Sequence, residues 1–239
     1  MQCVILAGGR GTRMLPATRE VPKTLLPVAG EPFVAHQLRL LGRNGIDRVV
    51  FSIGHLGALI REFVGDGERF GLDVAYVDEG ESLRGTGGAL RLAADAGVLD
   101  DHFFVTYGDA FLPTDYGAIH QAFVASGAAA LMTVFRNDGK WIPSNAVFKD
   151  GWVTLYDKQP AVAITGMSWV DYGISILTRN LVETEISANE TIDLSDVFGW
   201  LSHRSELVGF EVHERFYEIG SPQGLKEIEV VLVSGESRR

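Results

Sequence analysis

The feature of this sequence that most constrains its fold is the alternation of apolar runs with amphipathic segments over residues 1–135. Short apolar runs predict strands, and segments with a period of about 3.6 predict helices. Strands that alternate with helices form βαβ units with parallel strands and right-handed crossovers. The predicted strands are 4–6, 48–53, 74–77, 103–106 and 128–135, and the predicted helices are 32–43, 56–64, 87–96 and 116–125. The sequence therefore predicts an α/β fold with a mostly parallel central sheet flanked by helices.

The second half of the sequence has a different pattern. Two apolar runs, 146–148 and 152–156, flank Asp150-Gly151, a dipeptide that favours a two-residue hairpin turn. A strand at 172–177 is followed by helical patterns at 193–202 and 223–233. We therefore expect one continuous domain over residues 1–239, whose part from 136 to 239 carries a small β-rich insertion.

Composition and charge exclude several classes of protein. No apolar run approaches the roughly 20 residues that span a bilayer, and Met1 leads into the first strand without the pattern of a secretory signal. Cys3 is the single cysteine, which excludes an intrachain disulfide and fits the reducing cytoplasm. The formal net charge is −10, which disfavours a nucleic-acid partner. We expect a cytoplasmic protein that binds neither nucleic acid nor membrane.

The densest chemical signal is Leu6-Ala7-Gly8-Gly9-Arg10-Gly11-Thr12-Arg13, directly after the first predicted strand. Glycines there let a ligand approach the backbone, whose N–H groups can bind phosphate oxygens. The segment lacks the Gly-Lys-Ser/Thr ending of a P-loop, and Met14 stands where a dinucleotide fingerprint requires glycine. Four basic residues within fourteen positions concentrate positive charge here: Arg10, Arg13, Arg19 and Lys23. These residues alone leave open a phosphate-binding loop and an ordinary glycine-rich turn.

The extension of this segment through Pro22-Lys23 resembles the signature of the sugar-1-phosphate nucleotidylyltransferase family. That signature reads Gly-x-Gly-Thr-Arg, a short spacer and Pro-Lys, and the resemblance is closest to bacterial heptose 1-phosphate guanylyltransferases. It implies a Rossmann-like fold of the GT-A type, in which residues 1–135 bind the nucleotide and residues 136–239 bind the sugar phosphate. The implied reaction condenses an NTP with a sugar 1-phosphate to give an NDP-sugar and pyrophosphate, as in the synthesis of cell-surface polysaccharides.

The resemblance also implies roles for single residues on the nucleotide side. Arg13 and Lys23 would neutralise the triphosphate, and Asp109 of Tyr107-Gly108-Asp109 would be the catalytic, magnesium-binding aspartate. Glu218 stands where the second metal ligand is usually an aspartate, and its carboxylate is also a hard oxygen ligand for Mg²⁺. The remaining implied nucleotide-binding residues are Leu6, Ala7, Gly8, Gly9, Gly11, Thr12, Gly85 and Thr86.

The sugar side departs more from the family pattern. Asp157-Lys158 matches an acidic-lysine pair that contacts the sugar and its phosphate, although a solvated charge pair at a strand end is the other interpretation. Asp171-Tyr172-Gly173 matches a segment that closes over the sugar, and Asn145 follows Pro143-Ser144 where many relatives have Tyr-Gly. The implied sugar-phosphate site comprises Asn145, Asp157, Lys158, Asp171 and Gly173, and the identity of the sugar stays open.

Glu79 bears on the nucleobase. A carboxylate only accepts hydrogen bonds, and guanine presents two adjacent donors, so we expect GTP with a heptose or mannose-type 1-phosphate. The segment 77–82 also resembles glucose-1-phosphate cytidylyltransferases, so CTP or UTP with glucose or muramate 1-phosphate is the alternative. A non-catalytic nucleotide-sugar sensor that regulates a partner enzyme is the alternative of another class, and the resemblance is compatible with a homo-oligomer.

Overall fold

The computed structural model describes residues 1–80, 83–137, 139–162 and 164–234. Its strands, numbered along the chain, are β1 (Gln2–Ala7), β2 (Pro27–Val28), β3 (Glu31–Pro32), β4 (Arg48–Ile53), β5 (Asp73–Asp78), β6 (His102–Tyr107), β7 (Ala110–Phe111), β8 (Ala130–Arg136), β9 (Ala146–Lys149), β10 (Trp152–Tyr156), β11 (Trp169–Thr178), β12 (Val208–Val212) and β13 (Tyr217–Glu218). Its α-helices are α1 (Phe33–Arg43), α2 (Gly57–Val64), α3 (Gly85–Asp95), α4 (Tyr116–Ser126), α5 (Arg179–Glu185), α6 (Leu194–His203) and α7 (Pro222–Ser234). The chain forms two compact units, and each is built from more than one stretch of sequence.

The first unit comprises Met1–Leu83, Thr106–Pro113 and Phe216–Arg239. Its parallel strands lie in the order β5-β4-β1, with Gln2 opposite Arg48 and Arg48 opposite Asp73. Residues 3–5 are fully buried, as expected for a parallel strand covered on both faces. Because parallel strands end at one edge, the residues that follow β1, β4 and β5 lie along the same edge of the sheet.

A second group of elements in the first unit surrounds α1 and α7. The strands β7 and β13 pair antiparallel, and this pairing sets Glu218 opposite Ala110. One hydrophobic cluster lies beneath these elements, formed by Val28, Phe33, Leu40, Phe111, Ile219, Ile228 and Val231. Apolar packing of Phe111 and Ile219 therefore fixes the backbone that follows Asp109 and Glu218.

The second unit comprises Arg84–Val105 and Thr114–Arg215. Its strand order is β11-β8-β12-β10-β9; β8 and β12 are parallel, and the other neighbours are antiparallel. Asp150 and Gly151 both have positive φ, 51° and 83°, which is the conformation of the predicted hairpin turn. The helix α6 packs on β10 through an edge-on contact of Phe198 with Tyr156, whose ring centroids are 6.0 Å apart.

The α/β class predicted from the sequence is confirmed, and the sheet is mixed. The strand predicted at 128–135 corresponds to β8, which runs antiparallel to β11. Six elements had no predicted counterpart, namely the two-residue strands β2, β3, β7 and β13 and the longer elements α5 and β12. The helix α5 has only seven residues, too few to show a clear period. The second residue of β12 is Gly209, where the ring of Phe148 leaves no room for a Cβ. None of the described helices combines the length and the apolar composition needed to cross a bilayer.

Candidate active site

The glycine-rich loop begins where β1 ends, after Leu6 and Ala7. Gly11 has a left-handed φ of 62°, and Thr12 begins a short 3₁₀ turn whose Met14 is buried. Thr18 fixes the loop from the other side, since its buried hydroxyl donates to Gly11 O at 2.8 Å. The loop is therefore held by its backbone conformation, by the buried Met14 and by the hydroxyl group of Thr18.

Arg13 extends from this anchored loop. Its side chain is exposed, and within the part of the chain that the structure describes it makes no hydrogen bond or ion pair. Gly9, earlier in the same loop, has open space where a Cβ would stand, whereas a Cβ on Gly8 would overlap the carboxylate of Glu79. A side chain at position 8 would therefore have to displace the Glu79 carboxylate, whereas one at position 9 would meet no atom within 4 Å.

Glu79 follows β5 and lies against the loop. Its Oε1 is close to the Gly8 backbone and accepts a hydrogen bond from Ser52 Oγ at 3.2 Å. The structure therefore brings the predicted base-reading carboxylate to the predicted phosphate loop. Ser52 was missed in the sequence, because a single hydroxyl in an apolar strand carries no motif. Glu81 and Ser82, which belong to the segment that resembles cytidylyltransferases, lie outside the described residues.

Lys23 and Asp109 are brought together although 86 positions separate them in the chain. Lys23 Nζ lies 2.7 Å from Asp109 Oδ2, and the side chains are 13% and 27% exposed. Gly108 makes this approach possible, because a Cβ there would meet Thr24 Cγ2 at 2.6 Å and Ala7 Cβ at 3.1 Å. The predicted phosphate-binding lysine and the predicted metal-binding aspartate thus form one half-buried ion pair.

Glu218 lies beside this pair. Its carboxylate accepts hydrogen bonds from Ser221 Oγ at 2.8 Å and from Gly220 N. A Cβ on Gly220 would overlap Glu218 Oε2 and would lie 3.5 Å from Asp109 Oδ2, so both carboxylates border the same glycine. Backbone pairing supports this placement, since Ile219 N donates to Asp109 O at 3.0 Å.

Two neighbouring carboxylates are a suitable donor set for magnesium. Mg²⁺ prefers hard oxygen ligands, and it usually takes one or two protein carboxylates and completes its shell with waters and substrate phosphates. The described residues contain no group of three or more His, Cys, Asp or Glu side chains that could hold a metal ion. Asp109 and Glu218 therefore fit a magnesium ion that shares its coordination with a phosphate, and not a closed protein cage.

The segment Gly85-Thr86-Gly87-Gly88 opens α3 in the second unit. A Cβ on Gly85 would overlap Ile192 O, and a Cβ on Gly88 would overlap Glu190 O. Thr86 Oγ1 accepts from Leu194 N at 2.7 Å. Close packing therefore explains why glycine occupies positions 85 and 88, whether or not the segment also binds a nucleotide.

The predicted sugar-side residues meet around Asn145. Its carbonyl oxygen accepts from Asp157 N at 3.0 Å, and its side-chain Oδ1 accepts from Asp171 N at 2.8 Å. Asp157 and Lys158, both exposed, directly follow β10, and Gly173 lies within β11 with a φ of 103°. Gly173 N also donates to Asp171 Oδ1 at 2.9 Å. Hydrogen bonds therefore link four of the five predicted sugar-side residues, namely Asn145, Asp157, Asp171 and Gly173.

The surroundings of the Asp171 carboxyl group raise its pKa. Burial raises the pKa of Asp171 to about 6, against the opposing effects of the Gly173 N–H, the Lys158 ammonium and the Tyr156 hydroxyl. Desolvation disfavours the charged form of a carboxyl group. Near neutral pH Asp171 is therefore a carboxylate that is close to its protonation range.

Known proteins share this fold and sequence pattern. A 28% identical match over 202 residues joins the chain to UTP–glucose-1-phosphate uridylyltransferase of Synechocystis sp. and covers 80% of this chain and 52% of the relative. A 39% identical match over 115 residues joins it to mannose-1-phosphate guanylyltransferase of Mycobacterium tuberculosis and covers 48% of this chain and 32% of the relative. The chain spans about half the length of the curated relatives it matches.

Two further comparisons settle the fold and the family. The crystal structure of HddC from Yersinia pseudotuberculosis has a TM-score of 0.81 with this chain at 21% identity, and the match covers 97% of this chain and 99% of that one. This likeness confirms the predicted GT-A-like α/β fold. The family model described as nucleotidyl transferase matches residues 2–141, more than half of the sequence. The chain belongs to the nucleotidyl transferase family.

Proposed function

We propose that this protein condenses a nucleoside triphosphate with a sugar 1-phosphate and releases an NDP-sugar and pyrophosphate. The observation that carries the proposal is the ion pair of Lys23 with Asp109 beside Glu218. In a member of the nucleotidyl transferase family, this arrangement joins a phosphate-neutralising cation to a carboxylate pair suited to magnesium. The exposed Arg13 on the glycine loop adds a second cation for the triphosphate.

The chemistry requires positioning and charge neutralisation. A phosphate oxygen of the sugar 1-phosphate forms a bond to the α-phosphorus, the bond from this phosphorus to the bridging oxygen breaks, and pyrophosphate leaves with the electron pair. The nucleophile is already anionic, so a general base is unnecessary and the rate depends on alignment and electrostatic stabilisation. Arg13 offers a planar fork for two phosphate oxygens, and Lys23 offers a compact charge.

Magnesium is the proposed cofactor, with Asp109 and Glu218 as its protein ligands. When bound, the ion supplies Lewis-acid polarisation of the phosphoryl oxygens. The half-buried position of Asp109 reduces competition from water, and the β7–β13 pairing holds Glu218 close to it. In the second unit, Asn145, Asp157, Lys158, Asp171 and Gly173 are proposed to bind the sugar phosphate, and Lys158 supplies the positive charge.

GTP is the proposed nucleotide, with a heptose or mannose-type 1-phosphate as its partner. Glu79 supports this choice because its carboxylate lies against the phosphate loop at Gly8. Guanine can donate two hydrogen bonds to one carboxylate, whereas uracil offers one ring N–H. An unpaired buried acceptor costs about 1–3 kcal/mol, or about ten- to a hundredfold in selectivity. The curated relatives include both guanylyl- and uridylyltransferases, so UTP is the second candidate.

A pyrophosphate-release assay with GTP, CTP, UTP, dTTP and ATP against a panel of sugar 1-phosphates tests this proposal. We expect GTP to be preferred, and we expect Glu79→Gln to reduce the preference for GTP over UTP by about tenfold, with a smaller effect on turnover. Glu62→Gln, at an exposed carboxylate on α2, is the control and should leave the preference unchanged. A wild-type preference for UTP or CTP would overturn the guanine assignment, and nucleotide binding without turnover on any pair would favour the sensor.

A cytoplasmic location is part of the proposal. Its support is the single cysteine, Cys3, which is buried in the first strand, since a protein without disulfides suits a reducing compartment.

A further inference from the structure

Gln37 is a buried polar side chain that the proposed chemistry does not use. It lies on α1 and is 2% exposed, while its helix neighbours Leu38 and Leu41 belong to the core. A buried amide on an apolar helix face loses its hydration, so the hydrogen bonds that it makes within the protein offset part of the cost of its burial. The partners of Gln37 are all on its Nε2, since its buried Oε1 has no hydrogen-bond partner among the described residues. The contacts of Gln37 therefore indicate what it does.

Both N–H groups of the Gln37 amide bind one turn. Nε2 donates to Tyr107 O and to Ala110 O, each at 2.8 Å. These two carbonyls flank Gly108-Asp109, the turn that carries the proposed metal ligand. The two acceptors also fix the orientation of the amide, because the opposite orientation would set its oxygen against two carbonyl oxygens. Gln37 thus holds the turn by hydrogen bonds to the carbonyl groups on both sides of Gly108-Asp109.

Two further anchors of this turn are made by the backbone. Gly108 N donates to Leu6 O at 3.0 Å, and Ile219 N donates to Asp109 O at 3.0 Å. A side-chain substitution leaves these two bonds in place, whereas substitution of Gln37 removes both of its bonds. The two hydrogen bonds of Gln37 can therefore be removed while the strands on either side of the turn keep their pairing.

We infer that Gln37 is a positioning residue that holds the Tyr107–Ala110 turn so that the Asp109 carboxylate faces its cations. The inference rests on the proposed function in one respect, namely that Asp109 binds the metal. Groups that orient a metal ligand from behind typically change metal affinity by about 10–100-fold when they are removed. We expect loss of the Gln37 donors to fall in this range although Gln37 touches neither metal nor substrate.

Direct binding of Mn²⁺ alone, followed by the EPR signal of the free ion, tests this inference without turnover. The variants are Gln37→Met, which keeps the length of the side chain without a donor, and Asp109→Asn. Thr133→Val is the matched control, because it removes the buried hydrogen bond from Thr133 Oγ1 to Ile174 O in the second unit. We expect about a tenfold or larger rise in Kd for Gln37→Met and Asp109→Asn, and no change for Thr133→Val.

The outcomes separate this inference from the proposed function. A folded Gln37→Met that binds Mn²⁺ as the wild type does, while Asp109→Asn binds weakly, overturns the inference and leaves the metal site intact. A wild-type Kd for Asp109→Asn overturns both. Should Gln37→Met not fold, Gln37→Glu at pH 8 takes its place, since a carboxylate has the same shape and no donor; a wild-type Kd in that variant likewise overturns the inference.

Discussion

Lys23 occupies a position at the Asp109 carboxylate that a metal ion would share. Its Nζ lies 2.7 Å from Asp109 Oδ2, so ammonium and Mg²⁺ are two cations at one acidic group. When nucleotide is present, the lysine has a second anion, the triphosphate, to which it can turn. The pair therefore links the proposed metal ligand to the proposed phosphate-binding lysine before substrate arrives.

Lys23→Ala should bind Mn²⁺ more tightly than the wild type while turning over at least about a hundredfold more slowly. Loss of the ammonium removes a repulsion from the metal site but also removes charge stabilisation from the transition state. Stability should change little, because partly exposed ion pairs contribute little. Mn²⁺ titration and steady-state kinetics measure the two effects, with the exposed Arg43→Ala as the charge control. Weaker Mn²⁺ binding or unimpaired turnover would contradict this account.

Asp171→Asn should stabilise the protein at alkaline pH and weaken binding of the sugar 1-phosphate. The folded-state pKa of Asp171 is raised from 3.8 to about 6, so its protonated form favours folding. This contribution is fully present below pH 3.8 and is lost as pH rises through about 6. The neutral asparagine avoids the loss, which amounts to on the order of 3 kcal/mol.

Urea unfolding of this variant at pH 8 and at pH 4 provides the measurement. The variant should be more stable than the wild type at pH 8, and the difference should nearly vanish at pH 4. Asp73→Asn, at an exposed position on β5, controls for the change in net charge. An equal difference at both pH values would show that burial of the charge is not the cause.

At the scale of secondary-structure elements, the two glycine segments differ in what requires them. Gly88→Ala sets a Cβ against Glu190 O, whereas Gly9→Ala meets no atom within 4 Å. We therefore expect Gly88→Ala to lower the free energy of unfolding by about 1–3 kcal/mol. Gly9→Ala should leave stability unchanged and reduce kcat/KM for the triphosphate. The reason is that Gly9 is expected to be needed only for the close approach of the ligand to the backbone.

Thermal unfolding and nucleotide kinetics of these two alanine variants distinguish the cases. A destabilised Gly9→Ala would mean that the loop needs its glycine for folding. A stable Gly9→Ala with wild-type kinetics would remove Gly9 from the nucleotide site.

Patterns local in sequence predicted most elements. The periodicity that defines β1, β4 and α1 lies within each segment, and Asp150-Gly151 specified its own turn through two positive φ angles. Local patterns could not reveal α5, which is short, or β12, which pairs with β8 across more than 70 positions. Strand order in the second unit depends on such distant pairings.

The residues of the candidate site likewise fall into those that a local motif predicts and those that depend on distant partners. The glycine loop, Lys23 and Asp109 carry a motif, and the structure joins the latter two. Gln37 and Ser52 carry none, because their roles come from partners 70 and 27 positions away. The structural need for Gly85 likewise depends on Ile192 O, which no local pattern contains.

At the scale of the whole molecule, an acidic protein is proposed to bind two anions. The net charge is −10, so long-range attraction does not favour the substrates, and binding must rely on local cations. Arg13 and Lys23 are the proposed cations in the first unit, and Lys158 is the proposed cation in the second. Specificity is therefore expected to depend on close contacts, which are weakly screened by salt when they are partly buried.

The central claim is nucleotidyl transfer, and ³¹P NMR of the protein with GTP, mannose 1-phosphate and Mg²⁺ tests it most directly. The account predicts that GTP and sugar 1-phosphate disappear together while pyrophosphate and the paired phosphorus signals of an NDP-sugar appear in equal amounts. EDTA should stop the reaction, and added Mg²⁺ should restore it. Formation of GDP and inorganic phosphate, or full activity after removal of the metal, would contradict the account.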